Sequence, residues 1–149
     1  MDNFEETERL MRGAQAGLRS RFEDFRRALD RRDRAAYRLA LSDFQDWLGR
    51  WTAAEESALL PAFGRAPIPG RDARRELRLE FVQMRELTRH VRLQLESGAP
   101  MSDVLGMVEN LARRFDAHER GVLDVYYPAA AEALEASELA ELEIAARGL

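Results

Sequence analysis

YRLALSDFQDWLGRWTAAEESALL, residues 37–60, sets large or apolar side chains at Tyr37, Leu41, Phe44, Leu48, Trp51 and Leu59, with Glu55 as the one charged member of the series. Steps of four and three return to the same side of a helix with 3.6 residues per turn, whereas a strand would bring its inward residues back at every second position. The segment therefore predicts a long amphipathic helix. Asp33 stands where an N-cap belongs, and Pro61 marks the expected end, so the helix is predicted over about residues 34–60.

The same period continues outward in both directions. Upstream, Leu10, Ala14, Leu18, Phe22, Phe25 and Leu29 predict a helix over about 4–31. Downstream, PAFGRAPIPGRD at 61–72 is rich in proline and glycine and is the longest connection expected. Leu77, Phe81, Met84, Thr88, Val91 and Leu95 then predict a helix over about 72–97, ended by Gly98 and Pro100. Ser102 or Asp103 can cap a fourth, over about 103–126, whose inward stripe is Val104, Val108, Leu111, Phe115, His118, Val122 and Val125. The remainder is rich in Ala, Glu and Leu and predicts a fifth helix over about 129–146. No segment alternates with period two, and there is no Asn-Gly or Asp-Gly hairpin signal. The expected fold is all-α: an up-down-up-down four-helix bundle with an extra C-terminal helix, forming a single domain over 1–149.

Composition removes several classes of chemistry. The 149 residues include no cysteine, which excludes disulfides, thiolate metal sites, iron–sulfur clusters and cysteine nucleophiles; two histidines exclude any site built on three imidazoles. All 23 basic residues are arginine, but they are interspersed among 27 acidic ones, for a net charge of −4. A nucleic-acid role would need a segregated basic face that this pattern does not suggest. The acidic N-terminal stretch and the absence of an apolar run of about 18 residues point away from export and membrane insertion, so a cytoplasmic location is expected.

The chain also echoes itself. Leu59-Leu60-Pro61-Ala62 matches Tyr126-Tyr127-Pro128-Ala129 at an offset of 67 residues, which also carries Trp51 onto His118. With EESALLPAF at 55–63 and HERGVLDVYYPAA at 118–130, the sequence resembles the hemerythrin-like, or HHE cation-binding, family over essentially residues 10–130. The resemblance implies a helical bundle in which each half supplies one inward His and then a His-x-x-x-Glu pair, the six side chains holding two bridged non-haem irons. Matched residue by residue, the six positions fall on Gln15, Trp51, Glu55, Phe81, His118 and Val122. Glu55 and His118 keep the family's residue types. Trp51, Phe81 and Val122 replace ligands with side chains that cannot bind iron, and each ring would fill the volume of imidazole and metal. A dinuclear iron centre is not expected, and no cofactor is required.

Two readings of the remaining polar residues stay open. Glu55 and His118, with Gln15 as a weak third, can hold one metal ion, or Glu55 and His118 can form a hydrogen-bonded buried pair. Trp51, Phe81, Phe44, Trp47, Phe115 and Met84 can line an apolar ligand pocket or simply fill the core. His90, between Arg89 and Val91, falls off the inward stripe and is expected to face solvent. With no nucleophile or oxyanion device in sight, the expected role is non-catalytic binding or regulation, through an unknown protein partner or self-association along the narrow apolar edge Leu134, Leu139, Leu142 and Ile144, with neither nucleic acid nor membrane as partner.

Overall fold

The computed structural model describes residues 3–149. It is all-α: α1 (Asn3–Asp30), α2 (Arg34–Arg65), α3 (Ala73–Glu96), α4 (Met101–Gly121), a π-helical turn (Val122–Tyr126), α5 (Tyr127–Ala133) and α6 (Ala136–Ala146). Among the described residues there is no strand, and no helix is long and apolar enough to cross a membrane.

Side-chain contacts run in opposite chain order along three pairs of helices. Along α1 and α4, Arg26 pairs with Glu109, Arg19 with Asp116, and Arg12 with the Leu123 carbonyl. Along α2 and α3, Gln45 meets Arg92 and Thr52 meets Arg85; along α3 and α4, Gln83 meets Arg114 and Glu80 meets His118. Between α1 and α2, Arg21 pairs with Asp43 and the rings of Phe22 and Phe44 lie 5.1 Å apart. Phe115 joins that pair at 5.3 and 5.9 Å, making a fully buried aromatic layer from α1, α2 and α4.

The caps explain some boundaries and correct others. Asp33 does cap α2, its carboxylate accepting from the Ala36 N–H at 3.1 Å. By contrast, α4 starts at Met101, so neither Ser102 nor Asp103 is its cap. The expected end of α2 at residue 60 is also corrected, because the helix continues through Pro61 to Arg65. Pro61 lies on the exposed side, and the turn beyond it buries Ala62 and Phe63, whose ring packs edge-on to Tyr126 at 5.9 Å. Burying a phenyl group contributes about 1.5–3 kcal/mol, comparable to the roughly 3 kcal/mol cost of an interior proline.

The expected C-terminal helix over 129–146 is really two pieces. Helix α5 continues from α4 through the π turn, and the chain bends only at Leu134 and Glu135 before α6. Pro128 lacks an N–H and its ring crowds the carbonyl four residues back, while the Tyr127 N–H reaches the Val122 carbonyl, five back. A wider turn just before the proline relieves that crowding. The extra residue in the turn shifts the inward stripe: Tyr126 and Tyr127 are buried, and the expected Val125 is only half-buried.

Helix α6 packs mainly on α2 of its own chain, with Leu142 fully buried and Glu138 clasped by Arg65. After it, Gly148 sits over the Trp47 ring and Leu149 lies against Gly17, where a side-chain carbon would come within 2.5 Å of the Leu149 carbonyl carbon. Trp47, expected in the centre, is instead half-buried at this surface, with the guanidiniums of Arg21 and Arg50 over its ring at 4.9 and 5.0 Å.

Candidate functional site

Glu55 and Trp51 lie one turn apart on α2, and both are fully buried. Tyr127, delivered by the shifted register after the π turn, lies against them. The Trp51 indole N–H donates to the Tyr127 hydroxyl at 3.3 Å, and that hydroxyl donates to Glu55 Oε2 at 3.1 Å. Glu55 Oε1 has no hydrogen-bond partner.

Burial therefore dominates the chemistry of this carboxyl group. It raises the Glu55 pKa from 4.5 to about 7, against the opposing pull of a charged His118 and the Tyr127 hydroxyl and with added repulsion from Glu80. Burial and the neighbouring Glu55 likewise push the Tyr127 phenol well above its ordinary value, so it remains a neutral donor. Of the groups in the chain from Trp51 through Tyr127 to Glu55, the Glu55 carboxyl is the one that titrates near neutrality.

The other expected site residues are also inside, in separate contacts. His118 Nδ1 lies 3.1 Å from Glu80 Oε1, and its ring meets Phe81 edge-on at 5.6 Å. Gln15 donates from Nε2 to Glu119 Oε2 at 3.4 Å, while its Oε1 is buried without a partner. Glu119 also accepts from Arg19, which bridges to Asp116. The hydrogen-bonded pair expected between Glu55 and His118 is thus replaced by two pairs, Glu55 with Tyr127 and His118 with Glu80. They share the interior, and charge on His118 is felt at Glu55.

Tyr127 and Glu80 were not legible as site residues. Glu80 adjoins the inward residue Phe81, and its side chain reaches in from the rim to meet His118. Tyr127 becomes inward only through the π turn, for which the Gly121-to-Pro128 stretch was the available signal.

The donor set does not fit a dinuclear iron centre. Trp51, Phe81 and Val122, all fully buried, occupy three of the six matched positions, and the polar edge of Trp51 is a donor already used by Tyr127. Among the described residues, no group of three or more His, Asp or Glu side chains is placed to hold a metal ion. His90 is exposed, and Phe44, Phe81, Phe115 and Met84 are packed as core. The chain matches no known family model, and no curated protein or solved structure is significantly similar to it.

Proposed function

We propose that this chain is a hemerythrin-like, up-down-up-down four-helix bundle, one domain with an appended C-terminal helix, in which an aromatic hydrogen-bonded core stands where a di-iron centre would be. On this reading it acts in the cytoplasm as a non-catalytic binding or regulatory protein. The observation that carries the proposal is the Trp51–Tyr127–Glu55 chain, in which an indole fills a ligand position and donates its only N–H to the residue that bonds one oxygen of the retained carboxyl. The partner is a protein or a second copy, with Ile144 on α6 left largely exposed for contact.

The two unpartnered buried oxygens, Gln15 Oε1 and Glu55 Oε1, favour a second reading: one metal ion held weakly by Glu55, His118 and Gln15. Metal analysis and an absorption spectrum, on protein purified without chelator or affinity metal, separate the two. The first reading expects substoichiometric metal and no visible absorption. Iron, manganese or zinc near one equivalent, lost in Glu55→Gln and His118→Leu, would overturn it in favour of the second.

A further inference from the structure

A recess of about 120 Å³ lies between the start of α2 and the end of α3, away from the central polar cluster. Residues 34, 37, 38, 41 and 42 face it from two turns of one side of α2, and Arg92, Leu95 and Glu96 close it from α3. Leu41 and Leu95 supply the apolar wall. Tyr37, nine-tenths buried, also lines the recess, and its hydroxyl has no hydrogen-bond partner among the described residues. Among the described residues the guanidiniums of Arg34 and Arg38 form no ion pair, whereas Arg92 is bonded to Glu96 at 3.1 Å and Gln45 at 2.7 Å.

We propose that this recess, with unpaired guanidiniums at Arg34 and Arg38, a free Tyr37 hydroxyl and an apolar wall, binds a small organic monocarboxylate with a short branched apolar body. Guanidiniums match carboxylates in geometry and charge, and a neutral hydroxyl donor on a buried ring adds direction. Three guanidiniums against the single carboxylate of Glu96 make this spot positive on a chain whose net charge is −4. Glu96 also disfavours a second negative charge on the ligand, which selects a monoanion over a phosphate dianion. The volume sets the size of the apolar part: an engineered cavity of roughly 150 Å³ accommodates benzene, so this slightly smaller recess suits a branched chain of a few carbons. The site is independent of whatever occupies the centre of the molecule.

Isovalerate, with 3-methylbutan-1-ol as its uncharged counterpart, tests this by amide NMR titration of the full chain. Isovalerate should give saturable shifts at Tyr37, Ser42 and Leu95, and the alcohol should bind at least tenfold more weakly. Arg34→Gln combined with Arg38→Gln, both exposed positions, should leave the helical circular dichroism intact and weaken isovalerate at least tenfold; Tyr37→Phe should weaken it severalfold. No saturable shift at these amides, equal affinity for the alcohol, or unchanged affinity in the double arginine variant would each overturn the proposal.

Discussion

Glu55→Gln should stabilise the protein at alkaline pH and leave it nearly unchanged in acid. The substitution keeps the shape and the oxygen that accepts from Tyr127, while removing the charge that burial opposes. In the folded chain this carboxyl titrates at about 7, against an ordinary value of 4.5. Between those values the folded state keeps a proton that the unfolded state has released, so wild-type stability falls as pH rises through the window and levels off above it. At 1.36 kcal/mol per pH unit, the whole shift is worth about 3 kcal/mol. The variant lacks that loss, so its advantage should grow by about 3 kcal/mol between roughly pH 4.5 and pH 8. In a domain of this length that is an increase of roughly 10 °C in Tm relative to wild type. Urea denaturation followed by circular dichroism, on both proteins at several pH values, reads the difference directly, and groups not coupled to Glu55 cancel. A constant difference across the range would refute the titration of Glu55 near neutrality, and with it the claim that desolvation outweighs Tyr127 and His118.

Two further perturbations test the packing of the C-terminal segment. Gly17→Ala should lift Leu149 from its seat, since the new methyl group would meet it, and should shift Trp47 emission as Gly148 leaves that ring. With residues 147–149 removed, the same substitution should instead stabilise α1 by up to about 1 kcal/mol through helix propensity, and unchanged emission in the full chain would contradict the contact. Arg65→Ala removes the partner that holds the Glu138 carboxyl below its ordinary range and also bonds the Ala133 carbonyl, so amide exchange should accelerate in α6 before the other helices. In the wild type, that clasp should be present above the ordinary carboxyl range and weaken as pH falls through the lowered Glu138 value; exchange in α6 that is indifferent to both changes would remove Arg65 from this role.

The helices were legible because their apolar spacing is regular: Tyr37, Leu41, Phe44, Leu48, Trp51 and Leu59 are all buried as the period of 3.6 requires. The two helix ends expected too early, near residues 60 and 126, both lie beside a proline. Pro61 is tolerated on an exposed face because Phe63 gains a buried place beyond it, and Pro128 is tolerated because a π turn precedes it. That turn also hid the centre of the candidate site. A strict α-helical count from His118 selects Val122 and Val125, and only an inserted residue brings Tyr127 to Glu55. Side-chain pairing was less legible still, since spacing places Glu55 and His118 in the interior without saying which partner reaches each first.

Those pairings explain how Glu55 and His118 are accommodated in a largely apolar core. Glu55 is held by Tyr127 and His118 by Glu80, so changing either of the two inward residues alone strands a buried or half-buried polar partner. Leaving a buried polar group without its partner costs about 1–3 kcal/mol, whereas replacing both members with apolar groups of the same shape is often nearly neutral. Replacing one member alone by an apolar residue is therefore penalised whether or not the centre has a task, and the presence of Glu55 and His118 is weak evidence for one. A polar group that faces open space carries no such penalty. Removing Arg34, Arg38 or the Tyr37 hydroxyl leaves no partner stranded, so an effect of those changes would report on a bound ligand and not on the fold.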